Sequence, residues 1–173
     1  MSKPKQHWTK QDKLAALLGC LFVAAFLIMV AALAVPQKAR QGTFVPPAFE
    51  EAAIEGAPNV PEGLGYSAPF QEGMAYRFAV CGNVIMEGNQ ALVYLTNPAE
   101  NDAWIKLRIF DESGNVLGET GLLKPDQYVQ CVTLSAELVP GTPVRLKIMG
   151  YEPEIYTSAG SVVLNTQIGG GIP

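Results

Sequence analysis

The residues whose spacing comes nearest to catalytic chemistry are two glutamates, Glu152 and Glu154, on either side of Pro153 in YEPEIY. In an extended strand, residues two apart lie on one side with a separation of about 6.6 Å. An acid pair of suitable separation hydrolyses glycosides when the pKa of one acid is raised. An exposed acidic loop explains the same pattern without any chemistry.

Histidine is absent from the sequence after residue 7, where His7 is the single one. The C-terminal part therefore lacks the base of a Ser-His-Asp or Cys-His arrangement, and it cannot assemble a zinc site of the usual ligand types. Asp111, Ser113 and Asn115 in DESGN match part of a calcium loop, but they also fit a hairpin turn between two strands. We predict a turn here, no metal or cofactor, and no enzymatic activity, with a cell-wall polysaccharide hydrolase kept as an alternative.

Two strand-like segments, WIKLRIF (104–110) and VRLKIM (144–149), carry the residues best suited to binding. Side chains alternate between the two faces of a strand, so the aliphatic positions of both segments point inward. The outward set is Trp104, Lys106, Arg108, Phe110, Arg145, Lys147 and Met149. Tryptophan, arginine and methionine are enriched at protein interfaces. If the two strands are neighbours, we predict that this face docks a protein partner or a glycan; the alternative is a solvated face on which lysine and arginine stems cover the aromatic rings.

An uncharged segment of 22 residues, 14–35, determines where these residues are located. At about 1.5 Å per residue it forms roughly 33 Å of helix, which matches the ~30 Å hydrocarbon core of a bilayer. It is too long for an ordinary signal peptide and places Cys20 too early for lipidation. We predict an uncleaved signal anchor, with cleavage after Ala34 as the alternative. Lysines concentrated before the helix predict a cytoplasmic N-terminus and an extracytoplasmic C-terminal domain in the cell membrane.

The sequence predicts five regions. They are a cytoplasmic tail (1–13), a transmembrane helix (14–35), a Pro/Gly-rich tether (36–73), an extracytoplasmic β-sandwich (74–168) and a flexible tail (169–173). Six of the 13 prolines lie in the tether, a composition typical of an extended chain. Residues 48–55 (AFEEAAIE) are expected to form at most two helical turns.

After residue 74 the sequence changes to short runs rich in valine, isoleucine, leucine and aromatic residues, separated by turn residues. The runs are 76–82, 91–96, 103–111, 115–120, 127–134, 144–150 and 161–168. This pattern predicts an all-β fold, a single immunoglobulin- or fibronectin-like antiparallel sandwich. Through NPAENDAW, DESGNVLGETGLLKP and YEPEIYTSAG the chain resembles the membrane-anchored immunoglobulin-like surface proteins of Gram-positive bacteria. The resemblance implies one tethered surface domain and no particular activity.

Cys81 and Cys131 both fall on predicted strands of this sandwich, about 50 residues apart. An immunoglobulin-type disulfide between the sheets is one interpretation. However, Tyr76, Phe78 and Val80 occupy the inward positions of the same strand, and this alternation turns Cys81 outward. Two free thiols that pack as small apolar groups are the other interpretation.

Residues 41–173 carry 15 acidic and 6 basic side chains, a net charge of −9. This balance argues against nucleic acid as a partner. We therefore predict a membrane-tethered binding or structural module, as an accessory subunit of a cell-envelope assembly, whose partner is an unidentified envelope protein or glycan. A pilin-like filament subunit is a second alternative. Small residues of the apolar helix would also allow close contact between helices, and thus homo-oligomers.

Overall fold

The computed structural model describes residues 9–34, 44–68 and 75–170. These residues fall into two compact units, with the division between Phe44 and Val45. Residues 1–8, the tether segments 35–43 and 69–74, and tail residues 171–173 lie outside the described residues, as do the predictions made for them.

The first unit contains helix α1 (Lys10–Ala34). Its start is fixed by reciprocal hydrogen bonds: the Asp12 N–H donates to Thr9 Oγ1 (3.3 Å) and the Thr9 N–H donates to Asp12 Oδ2 (2.9 Å), as in a capping box. Residues 10–30 are exposed and, after the first turn, free of charge. By length and composition, α1 is the one described helix that could cross a membrane.

The second unit is built from ten described strands. They are β1 (Ile54–Glu55), β2 (Tyr66–Ser67), β3 (Val80–Cys81), β4 (Ile85–Glu87), β5 (Gln90–Asn97), β6 (Trp104–Phe110), β7 (Val116–Glu119), β8 (Gln127–Thr133), β9 (Pro143–Tyr151) and β10 (Ser158–Gln167). Sheet I has the order β1-β8-β5-β4, sheet II has the order β10-β9-β6-β7, and β2 pairs with β3. All strand pairs are antiparallel. The prediction of a mainly antiparallel β fold after one apolar helix is confirmed.

One hydrophobic core includes side chains from both sheets. Val93 and Leu95 of β5 belong to the same buried cluster as Leu107 of β6 and Leu146 of β9. The aliphatic positions of β6 and β9 alternate with polar ones, as the sequence predicts, and Ile105, Leu107 and Ile109 are all fully buried. Alternation therefore directs one side of sheet II to the core and turns the other side away from it.

A second, smaller cluster covers the opposite side of sheet I. Leu64 is fully buried there together with Leu92 and Tyr94 of β5, so β5 is buried on both faces. Residues 45–68 thus belong to the folded unit, which differs from the extended tether predicted for residues 36–73. The physical reason is that Leu64 and Tyr66 supply the apolar surface that β5 needs on its second face.

Residues 48–55, for which at most two helical turns were expected, form an irregular segment with a turn at 51–52. Phe49 forms a parallel bridge with Leu122, and Ile54 pairs with Tyr128 of β8. The Gly121 N–H donates to the Glu50 carboxylate (2.6 Å). Pairing with the sheet satisfies the backbone groups that a two-turn helix would leave unpaired.

Candidate functional site

The two strands that carry the predicted binding residues are neighbours in sheet II. Their antiparallel register aligns Trp104 with Tyr151, Lys106 with Met149, Arg108 with Lys147 and Phe110 with Arg145. Directly opposed residues point to the same side of a sheet. The seven predicted residues therefore share one outer surface, here called the basic face: Trp104, Lys106, Arg108, Phe110, Arg145, Lys147 and Met149.

Trp104 is half-buried at one end of the basic face. The Phe49 ring packs against it in an edge-on geometry at 4.8 Å between centroids, and the Tyr156 ring does so at 5.4 Å. The ammonium group of Lys124 lies 4.7 Å from the centre of the Phe49 ring. These ring contacts hold both residue 49 and the β9–β10 connection against sheet II. Trp104 therefore has a structural role here.

Lys106 and Arg108 share one carboxylate, that of Glu119 on β7. The Lys106 Nζ–Glu119 Oε1 distance is 2.8 Å and the Arg108 Nε–Glu119 Oε2 distance is 2.6 Å. Lys106 is only 7% exposed, which differs from the freely solvated cation that alternation predicts. Burial acts to raise the pKa of Glu119, but the hydrogen bonds and charges of Lys106 and Arg108 outweigh it and hold that pKa below its usual value.

We expect a Glu119→Gln substitution to lower the free energy of unfolding by about 1 kcal/mol at neutral pH, a small value because the carboxylate is 40% exposed and screened by water. The folded-state pKa is depressed, so ionised Glu119 stabilises the fold above its unfolded pKa, and this stabilisation is lost as pH falls through the folded value. The difference between variant and wild type, measured by urea unfolding, should therefore disappear in acid. Glu137→Gln, at an exposed site, is the control; a difference that is independent of pH would contradict the assignment.

Arg145 and Lys147 form the other half of the basic face, and they have no such partner. In residues 75–170, 44–68 and 9–34, no carboxylate lies within 4.0 Å of either side chain. The Arg145 guanidinium lies 5.9 Å from the Phe110 ring centre and donates to the Asp111 carbonyl (3.2 Å). Its Nε is shielded from solvent and has no acceptor among those residues. Two cations are thus left without a counter-charge beside an aromatic ring.

A pocket of about 220 Å³ opens on the basic face next to these two cations. We call it the basic pocket, and its lining residues are Phe110, Gly114, Arg145, Lys147 and Val163. Val163 of β10 lies directly opposite Lys147 and is 50% exposed. The pocket therefore combines apolar walls with two positive charges, which suits an apolar side chain that lies next to a carboxylate.

The turn that borders this pocket is stabilised from within. The Asp111 carboxylate accepts hydrogen bonds from the backbone and side-chain N–H groups of Asn115 (2.8 and 2.7 Å), and these bonds lower the pKa of Asp111. Glycine is required at Gly114, where φ is +91°. Within the described ranges, no three His, Cys, Asp or Glu side chains are grouped as metal ligands would be.

Cys81 and Cys131 are both free thiols, and the inter-sheet disulfide considered above is not present. Both belong to the small cluster on the outer side of sheet I, because alternation turns Cys81 away from the main core. Burial raises the pKa of Cys81 to about 11. Burial, together with the charges of Glu87 and Glu50, also raises the pKa of Cys131. These are structural thiols of low reactivity.

Glu152 and Glu154 lie in the connection between β9 and β10, which is a tight turn where an extended stretch was expected. The Tyr156 N–H donates to the Glu152 carbonyl (3.0 Å), and the Glu152 N–H donates to the Thr157 carbonyl (2.8 Å). Glu154 has a φ of +65°. Both glutamates are exposed, so neither has the buried, apolar surroundings typical of a catalytic acid.

Sequence reasoning missed Glu119, Phe49 and Tyr156 as parts of this surface. Alternation gives the face to which a side chain points, but it does not identify the neighbouring strand.

The chain was also compared with protein-family models, curated proteins and solved structures, and none of the three comparisons found a match.

Proposed function

We propose that this chain is a membrane-tethered binding module that uses the basic pocket to hold an acidic segment of a partner in the cell envelope. The observation that carries this proposal is the contrast within the basic face. Lys106 and Arg108 are both paired with the Glu119 carboxylate, whereas Arg145 and Lys147 have no carboxylate partner among the described residues. A partner carboxylate would supply the missing charge, and the apolar walls would exclude water around it.

The charge distribution supports an acidic partner. Residues 41–173 carry a net charge of −9, yet four of their six basic side chains lie on the basic face. Such a concentration of one sign on one surface favours encounter with a surface of opposite sign. Arg108 and Lys147 lie directly opposite each other, and like charges in this arrangement repel. Binding of a carboxylate would therefore also relieve an unfavourable interaction within the sheet.

We further propose that the β unit is an immunoglobulin-like surface domain of the Gram-positive type that the sequence resembles. Strands β4 to β10 can be matched, in chain order, with the immunoglobulin strands A, B, C, C′, E, F and G. With this assignment, sheet I contains the order A-B-E and sheet II has the order G-F-C-C′. These orders agree with immunoglobulin topology, with β1 in the place of strand D. The B–F disulfide of antibody domains has no counterpart, because the cysteines are on β3 and β8.

In this proposal α1 is an uncleaved anchor with the β unit outside the cell. The apolar length of α1, together with the lysines before it and in its first turn, supports this orientation. The proposal therefore has two parts, an extracytoplasmic location and an acidic partner at the basic pocket, and one experiment can examine both.

The test uses full-length protein in intact cells, with one exposed cysteine in the β unit, placed beside the pocket. Asn165 is exposed and lies opposite Arg145, so an Asn165→Cys, Cys131→Ser variant can be labelled with a membrane-impermeant maleimide that carries a photo-crosslinker. We expect the label to react on intact cells and to give a crosslinked adduct. The yield of this adduct should fall at least tenfold when Lys147→Glu is added to the labelled variant.

The matched control is Arg77→Glu, which reverses an exposed cation outside sheet II and should leave the adduct unchanged. Labelling that requires cell lysis would contradict the extracytoplasmic location. An adduct that is equally strong in the Lys147→Glu variant, or absent from the wild type, would contradict binding at the basic pocket.

A further inference from the structure

The β9–β10 connection presents an apolar side chain to solvent in a fixed position. Ile155 is 66% exposed and lies between Glu154 and Tyr156, whose φ angles are +65° and +57°. Left-handed backbone is costly for residues other than glycine, and it persists only where the surroundings impose it. Packing of Tyr156 against Trp104 and the backbone hydrogen bonds that join residue 152 with residues 156 and 157 impose it here. The turn is thus a preorganised projection, here called the acidic turn (residues 152–156).

The acidic turn and the basic pocket are complementary in chemistry. The turn offers one aliphatic side chain, Ile155, with the exposed carboxylates of Glu152 and Glu154 close by. The pocket offers apolar walls with two cations that have no carboxylate partner among the described residues. An isoleucine side chain fits within the pocket volume of about 220 Å³. Such an insertion would bury apolar surface and pair both cations, a combination typical of strong interface contacts.

One chain cannot make this contact with itself. The basic pocket lies near the start of β9 and the acidic turn follows its end, so the rigid strand separates them by roughly 20 Å at about 3.3 Å per residue. The acidic turn must therefore enter the pocket of a different molecule. Because the two surfaces are different, this contact is heterologous, and each chain retains one free turn or one free pocket for the next.

We infer that the partner held by the basic pocket is a second copy of this chain, whose acidic turn inserts Ile155 between Phe110 and Val163 and places its glutamates beside Arg145 and Lys147. The inference rests on the proposed function of the basic pocket and names its occupant. Repetition of the contact produces a head-to-tail row of chains, an arrangement that a two-fold dimer cannot form.

The test uses the same labelled Asn165→Cys, Cys131→Ser full-length chain reconstituted in lipid vesicles, so that no other protein is present. We expect photo-crosslinking to give a ladder of dimers and longer species, with the crosslink mapped by mass spectrometry to residues 152–156. Lys147→Glu alters the pocket and Ile155→Asp alters the turn. Each single variant should lose at least 90% of the ladder, and Arg77→Glu should retain it. Ile155 is exposed and Lys147 half-buried, so neither variant removes a core side chain.

A mixture of the two variants gives the decisive readout. Lys147→Glu chains retain an intact turn and Ile155→Asp chains retain an intact pocket, so a 1:1 mixture can form one junction but not two. We expect it to restore dimers and nothing longer. A two-fold contact would stop the wild type itself at dimers, and association through α1 alone would leave the single variants and the mixture unchanged. Either result would overturn the inference.

The result also separates this inference from the proposed function. If cells yield an adduct that depends on Lys147 but contains another protein, while vesicles yield no ladder, the pocket binds an acidic partner and self-association is wrong. If neither cells nor vesicles yield an adduct that depends on Lys147, both proposals fail.

Discussion

An Asn97→Ala substitution is expected to lower the free energy of unfolding by about 3 kcal/mol, because it removes hydrogen bonds from fully buried backbone acceptors. Asn97 is 0% exposed, and its Nδ2 donates to the carbonyls of Ala103 (2.9 Å) and Leu123 (3.0 Å). Its Oδ1 accepts from Asn101, which in turn is bonded to the Arg77 backbone. One side chain at the end of β5 thus joins sheet I to the residue that precedes β6 and to the segment that follows β7.

Urea unfolding of the full chain in detergent micelles measures this loss, with Trp104 fluorescence as the probe in a Trp8→Phe background. Asn97→Asp serves as a volume-matched comparison, since it keeps the shape of the side chain but replaces the donor with an acceptor. It should be at least as unstable as Asn97→Ala. Asn165→Ala, at an exposed site, should change stability by less than about 0.5 kcal/mol. An Asn97→Asp variant of wild-type stability would show that volume, and not the donor, is what matters here.

A Gly150→Val substitution is the second change with a large expected effect, a loss of about 3 kcal/mol from steric overlap in the core. A Cβ atom at this position would overlap the Tyr76 ring. Tyr76 is 4% exposed, and its hydroxyl donates to the carbonyl of Ile148 (3.1 Å) or Gly160 (3.2 Å). The ring therefore cannot move aside without loss of its burial and its hydrogen bond. The same urea unfolding measurement applies.

A double-mutant cycle checks the mechanism. Tyr76→Ala alone should cost about 3–5 kcal/mol as a truncated buried aromatic residue. In the Tyr76→Ala, Gly150→Val variant the valine fills part of the space that the ring leaves, so the combined loss should be smaller than the sum of the two single losses by more than about 1 kcal/mol. Strict additivity would mean that Gly150 is required for another reason, such as its pairing with Ile105.

The strands that carry the candidate site could be predicted closely from the sequence. In β6 and β9 the alternation of aliphatic and polar residues is regular, and burial of one face imposes it, so both the strand type and the outward residues follow from local pattern. The class of the fold and the apolar helix follow for the same reason. Each depends on composition and period over a short segment.

Residues 45–68 were the least predictable part of the β unit. Their proline and glycine content is typical of a linker, and β1 and β2 contain two residues each, too few to show a period. Leu64 is buried because β5 lies beneath it, and a local pattern contains no information about that contact. The short strands β3 and β4 are difficult for the same reason.

The sequence by itself determined that the chain has one helix of membrane-spanning length, an antiparallel β unit, and a set of basic and aromatic side chains on one face of two strands. Only the tertiary structure decided which of those cations are paired with a carboxylate, because Glu119 comes from a neighbouring strand whose position depends on the order of strands in the sheet. It also decided that the two cysteines lie on the same side of sheet I and that the acidic turn projects Ile155. Such features depend on contacts between residues distant in sequence, and these form only when both sheets have packed around the common core.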